Sequence, residues 1–218
     1  MATLTLFGER NLDSPFVFTV FVALKEKGVP FTLRLLDLSR GEQREPGFVE
    51  RSLTARVPTL AAGDFSISES LAIVEYLDET FAPPRHARLL PEAVEERARA
   101  RQVLGWLRSD LAALRRERPT SSIFFPRERA TAPLSDAARA DAEKLVRITS
   151  TLLDGRASPF DGWSIAEADL AMALMRLVAN DDPVPGPVRD YVETQWRRPS
   201  VAAWVALGRP ATDEAISA

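Results

Sequence analysis

The sequence predicts an α/β domain of order βαβαββα followed by an all-helical domain. Three observations predict it. Strand and helix patterns alternate over the first third of the chain. A short segment holding Pro83, Pro84 and Pro91 follows, with the composition of a linker. Beyond it strand signals vanish and apolar residues recur at helical spacing. The chain has 218 residues, 45% hydrophobic and 27% charged. That suffices for one large domain or two small ones with a sizeable core and no covalent staple.

Thr3 to Phe7 alternates polar and apolar residues of β-favouring types and forms a strand. Pro15 to Lys27 forms a helix, stopped by Gly28 and Pro30. Phe31 to Leu38 is the second strand, which pairs in parallel with the first through a right-handed crossover. Glu42 to Ser52 is ambiguous, with a short irregular helix as its best description. Thr59 to Ala62 and Phe65 to Ile67 flank Gly63-Asp64 as a hairpin. Ser68 to Phe81 is a helix with Ser68 as N-cap and Leu71, Val74, Leu77 and Phe81 on its buried side. The first domain therefore spans 1–82 and the linker 83–91. In the second domain, 92–218, Glu92 to Arg118 carries one long helical pattern through Ala100, Leu104, Leu107, Leu111 and Leu114. Leu134 to Leu153 carries another. Leu170 to Val178 is apolar almost all round, which marks a central helix. A proline-rich break at Asp181 to Pro187 precedes short helices at Val188 to Gln195 and Ser200 to Leu207.

Composition excludes several chemistries. There is no cysteine, hence no disulfide, iron–sulfur centre or protein thiol nucleophile. One histidine, His86, excludes a histidine metal cluster; it sits in the linker as an expected solvated side chain. The net charge is -3, which gives no general attraction to nucleic acid or an anionic membrane. The N-terminus lacks a basic start followed by a long apolar run, and the apolar run Phe16 to Leu24 is too short to span a bilayer. A cytoplasmic location is expected.

Five local patterns stand out along the chain. Ser14-Pro15-Phe16 opens the first helix, Arg56 to Leu60 reads RVPTL, Ser68 to Leu77 reads SESLAIVEYL, Ser164 to Ala171 reads SIAEADLA, and Arg197 to Trp204 reads RRPSVAAW. Four of them have a structural explanation. Ser14 before proline is a good N-cap, Pro58 suits the start of an edge strand, and Glu69 suits a first helical turn. Ser164 with Glu167 makes a capping box. Arg101, Arg108 and Arg115 recur every seven residues, as on a solvated helix face; facing a cleft instead, the stripe would favour an anionic substrate.

In this order and at these separations the patterns resemble a glutathione transferase over nearly the whole chain. The Ser-Pro-Phe opening resembles the serine-type branches; the WLRSDL and ERPT stretches resemble the bacterial YfcF-like group. The resemblance implies a thioredoxin-like glutathione-binding domain and a helical domain that walls the second-substrate site. It implies that the Ser14 hydroxyl stabilises the glutathione thiolate at a helix N-terminus, which favours anions. It implies a cis Val57-Pro58 bond, with Val57 offering its main chain to the cysteinyl unit. Glu69 and Ser70 would hold the γ-glutamyl group, Phe16 would line the site, and Arg56 with Gln43, or Arg44 in its place, would meet the glycine end. Trp106, Arg108 and Phe124 are the candidates for the second-substrate wall. Tyr76 and Tyr191 lie far from the first turn and cysteine is absent, which removes the tyrosine and cysteine types. The implied co-substrate is glutathione without a metal, the partner substrate an electrophile or a peroxide, and the assembly a homodimer. The alternatives are a non-catalytic interaction module or a carrier of apolar ligands.

Overall fold

The computed structural model describes residues 3–208, so the outermost ends of both predicted domains lie outside it. β1 (Leu4–Glu9), α1 (Pro15–Lys27), β2 (Phe31–Leu36), α2 (Pro46–Val49), β3 (Thr59–Ala62), β4 (Phe65–Ser68) and α3 (Ser70–Thr80) follow in the predicted order. The strands form one sheet, β2-β1-β3-β4, with β1 parallel to β2 and antiparallel to β3. This is the thioredoxin-like arrangement. The ambiguous segment resolves into one 3-10 turn, Glu42–Arg44, and the four-residue α2, while a further 3-10 turn, Leu38–Arg40, takes the last residue of the predicted second strand.

Residues alternate across β1. Leu4 and Leu6 face α1 and the main core, whereas Phe7 joins Leu36, Phe48 and Ala61 in a small cluster beneath α2. α1 is buried from Val17 through Leu24, because it packs on α3 and also on two helices of the second domain. That explains its apolar run without any membrane role. A Cβ on Gly8 would lie 2.8 Å from Val17 Cγ1, so β1 needs glycine there to let α1 approach. The close approach fixes where the first turn of α1 stands over the sheet.

The second domain is all helical: α4 (Val94–Ser109), α5 (Ala112–Glu117), α6 (Ser121–Phe124), α7 (Asp136–Leu153), α8 (Ile165–Val178), α9 (Gly186–Trp196) and α10 (Pro199–Gly208). α8 is its buried centre. Trp204 of α10 is fully buried against Phe18 and Phe21 of α1, which joins the two domains in one core.

Three expectations are corrected. The single helix over Glu92 to Arg118 is two. Leu111 turns into the left-handed region at φ 61, and Asp110 accepts its N–H at 2.8 Å. Leu107, Leu111 and Leu114 are all buried, so the apolar spacing runs through the break and conceals it. Ser68 is not the N-cap of α3. Its hydroxyl is buried with those of Ser52 and Thr59, at 3.0 and 3.2 Å, and the cap position falls to Glu69. His86 is not a free surface residue. Its Nδ1 lies 2.8 Å from the Lys27 carbonyl and its ring stands edge-on to Phe81.

His86 belongs to a clamp on the linker. Lys27 Nζ is buried, 2.6 Å from Asp78 Oδ1, and donates to the carbonyls of Phe81 and Ala87 at 2.9 and 2.7 Å. Asp78 also accepts the Leu89 N–H at 2.8 Å.

The capping box of α8 is present as predicted. Glu167 accepts from the Ser158 hydroxyl, the Ser164 N–H and Gln195 Nε2 at 3.0–3.3 Å. Burial nevertheless pushes its carboxyl up to about 7. A carboxyl raised above its unfolded value contributes stability below about pH 4.5, and that contribution is lost as pH rises through about 7. Between pH 5 and pH 8.5 the wild-type Tm should therefore fall by about 5 °C more than that of Glu167→Gln. Calorimetric melts across that range check this; parallel profiles would show that Glu167 does not titrate there.

Candidate active site

Ser14 lies at the turn from β1 into α1. Its hydroxyl accepts the Val17 N–H at 3.3 Å, and its own N–H donates to Glu9 Oε1 at 2.8 Å. The cap uses one lone pair of the hydroxyl and leaves its O–H free to donate. Capping and thiolate stabilisation are therefore compatible roles of one side chain. Glu9 carries no signal in the sequence that marks it for the site. It is 6% exposed, and burial raises its carboxyl above the ordinary range while the Ser14 N–H opposes the rise. Asp13 is raised in the same direction by burial.

Phe16, Arg56, Val57, Pro58, Glu69 and Ser70 converge on one cavity of about 590 Å³, together with Leu71, Ala72 and Arg108. The Val57-Pro58 bond is cis. Glu69 has φ 72 and ψ 116, an unfavourable conformation for a residue with a side chain and one that accumulates at functional sites. It aims the first turn of α3 at the cavity. Ser70 is buried, and its hydroxyl accepts from Arg108 Nη2 and Nε at 3.1 and 3.3 Å.

Arg108 lines this cavity and also a second cavity that adjoins it. Its Nη1 donates to Asp169 Oδ2 at 2.7 Å, and its guanidinium stands 5.6 Å over the Phe16 ring. Asp169 in turn accepts the Thr19 hydroxyl at 2.7 Å. One buried polar cluster thus ties α1, α3, α4 and α8 together beside the cavity. Thr19 and Asp169 do carry a sequence signal: each is a polar residue within a largely apolar stretch of its helix. Of the other arginines of the seven-residue pattern, Arg101 turns to α3 and pairs with Glu75 at 2.6 Å, whereas Arg115, beyond the break, donates to the Arg108 carbonyl at 3.2 Å and lines the second cavity with Arg108.

The remaining candidates stand apart. Gln43 sits half-buried in a 3-10 turn, Arg44 is exposed, and neither lines the cavity. Trp106 faces away on α4; its Nε1 donates to Asp110 Oδ2 at 2.8 Å, and it lines a separate groove with Lys144, Ile148 and Leu152. Phe124 is buried and stacks on Trp196, which stacks on Phe18, so it is core. A second cavity adjoins the first. Phe16 and Arg108 wall both, and α4, α5 and α8 close it. Among the described residues, no group of three or more His, Asp or Glu is placed to hold a metal, and no helix is long and apolar enough to cross a membrane.

Comparison with known proteins agrees with this geometry. Residues 13–80 match the family described as glutathione S-transferase, N-terminal domain, and residues 93–209 match glutathione S-transferase, C-terminal domain. Mouse glutathione S-transferase theta-3 is 32% identical over 107 residues, 49% of this chain and 44% of that protein. Human theta-2 is 36% identical over 87 residues, 40% of this chain and 35% of that protein. These alignments span less than half of either relative. A Burkholderia glutathione transferase homolog, solved with bound glutathione, is 43% identical with a TM-score of 0.79, covering 96% of this chain and all of that one. A theta-class enzyme from Xanthomonas axonopodis, also with glutathione bound, shares the fold at 24% identity, with a TM-score of 0.74 and coverage of 94% and 98%. With both halves of the chain matched, and the cavity built where the two meet, the protein belongs to the glutathione S-transferase family.

Proposed function

We propose that the protein is a serine-type glutathione transferase, allied with the YfcF-like bacterial group, acting as a cytoplasmic homodimer without a metal. The supporting observation is the joint placement of Val57, cis Pro58, Glu69 and Ser70 around one cavity that reaches α1 at Phe16, two residues past the Ser14 cap, although Ser14 itself is not among the residues that line it. In this reading Glu69 accepts from the γ-glutamyl ammonium, and Ser70 donates to its carboxylate while Arg108 holds the Ser70 oxygen. Arg56 meets the glycine end, and Val57 pairs with the cysteinyl main chain. The Ser14 O–H donates to the thiolate, whose proton has left to solvent. The thiolate then forms a sulfur–carbon bond to an electrophile as the leaving group departs with its electron pair. With a peroxide the thiolate forms a sulfur–oxygen bond as the oxygen–oxygen bond breaks and an alcohol or water leaves, so that glutathione is oxidised and the peroxide reduced.

Calorimetric titration with glutathione tests the reading. Wild type should bind, and Glu69→Ala/Ser70→Ala should bind at least about tenfold more weakly, as expected for lost hydrogen bonds to charged groups. No binding by wild type would refute it.

Arg108 supplies a separate prediction. Arg108→Ala leaves buried Asp169 without its cation and removes the hold on Ser70. The KM for glutathione should rise about tenfold with any electrophile. Initial-rate kinetics with neutral and anionic electrophiles check it; an effect confined to anionic ones would mean that Arg108 serves the second substrate alone.

A further inference from the structure

The second cavity has an unbalanced charge. Its walls are mostly apolar and include Phe16, Leu107, Leu111 and Met172, and three arginines line it, Arg108, Arg115 and Arg176, against one acidic residue, Asp169. Arg108 takes that carboxylate. Arg118, the next buried arginine, is held by both oxygens of Asp182 at 2.6 and 2.9 Å. Arg176 is different. It is 6% exposed, yet among the described residues its guanidinium makes one hydrogen bond, to the Arg118 carbonyl at 2.6 Å, and no ion pair. Arg115 likewise bonds only a carbonyl, that of Arg108, at 3.2 Å. Burying an arginine without an anion is unfavourable, and burial with the neighbouring charge of Arg115 pushes Arg176 down to about 10. The free interior is small, about 40 Å³, room for a few heavy atoms rather than an extended ring.

We propose that Arg115 and Arg176 form an anion subsite for the second substrate, which is an electrophile with an apolar body and a carboxylate or sulfonate head. The head enters the cavity between α5 and α8, and the apolar body lies toward Phe16 and the bound glutathione. The proposal rests on the transferase reading above for its reaction, but not for its binding. The rival explanation is structural: Arg176 merely ties α8 to the Arg118 carbonyl.

A matched pair of electrophiles separates these. 4-Chloro-3,5-dinitrobenzoate and its methyl ester differ at one charged group. In each the thiolate forms a sulfur–carbon bond, the carbon–chlorine bond breaks, chloride leaves, the thiol proton goes to solvent, and nothing is oxidised or reduced. With kcat/KM corrected for the uncatalysed rates, wild type should favour the acid over the ester at least about tenfold. Arg115→Gln and Arg176→Gln should each lower that ratio about tenfold, the scale of a charged hydrogen bond. Arg101→Gln, an equal charge change on the α3-facing side of α4, should leave the ratio as in wild type. An unchanged ratio in Arg115→Gln and Arg176→Gln overturns the proposal. If Arg176→Gln does not fold, Arg115→Gln decides, since it loses one bond to a carbonyl. If neither electrophile turns over, the transferase reading fails, and calorimetry still decides the subsite. 3,5-Dinitrobenzoate binding wild type about tenfold tighter than Arg115→Gln supports it, and equal binding overturns it.

Discussion

Replacing Ser14 by alanine is expected to lower kcat/KM for glutathione conjugation by about 100-fold or more, the effect of removing one donor from a developing or bound anion. The change also removes the cap of α1, which costs about 1 kcal/mol of stability. The two losses separate because the Ser14 hydroxyl accepts from Val17 N–H with one part of its hydrogen-bonding capacity and donates with another. Ser14→Asp retains a capping oxygen but offers no proton and adds a negative charge beside the thiolate. It should melt within about 3 °C of wild type while matching alanine in lost activity. If Ser14→Asp keeps wild-type activity, Ser14 is a cap alone.

Lys27→Met should destabilise the fold by about 3–5 kcal/mol, because it leaves Asp78 in a buried site without its cation. For a chain of this size that corresponds to a fall in Tm of roughly 10 °C. Methionine fills much of the lysine volume, so the effect reports the charge and its bonds rather than a cavity. Lys27 also holds the carbonyls of Phe81 and Ala87, so the linker should loosen with it. Amide exchange around 81–91 should rise in the variant under conditions where β1 remains protected. A Tm shift below about 2 °C would mean that Asp78 finds solvent or another partner.

The fold is legible in the sequence because its signals are local. The bounds of α1 and β3 follow from sequence to the residue, since Pro15, Gly28 and the Gly63-Asp64 turn punctuate them. The break at Leu111 does not, because the apolar spacing crosses it and the cause is a side-chain bond from Asp110. The cap of α3 falls one residue later than its chemistry suggests, because Ser68 spends its hydroxyl on Ser52 and Thr59. The candidate cavity is legible from the Val57-Pro58 and Glu69-Ser70 pairs, which lie next in sequence to turns that the sheet brings together. Trp106 and Phe124 mislead, since helix spacing alone does not tell a cleft face from a neighbouring helix. The cluster of Thr19, Arg108 and Asp169 joins residues as far apart as α1 and α8, and only the docking of the two domains reveals it.

The central claim is that Ser14 stabilises the thiolate of glutathione bound at the end of α1. Its most direct test is an ultraviolet titration of enzyme-bound glutathione thiolate against pH, in wild type and Ser14→Ala. A free cysteine thiol ionises near ~8.5, and each unit of depression requires about 1.4 kcal/mol of preference for the thiolate. The account predicts a bound thiol one to two units below that value in wild type, by roughly the energy of one charge-assisted hydrogen bond with a helix end, and a return toward it in Ser14→Ala. A depressed thiol that is unchanged by the mutation would contradict it.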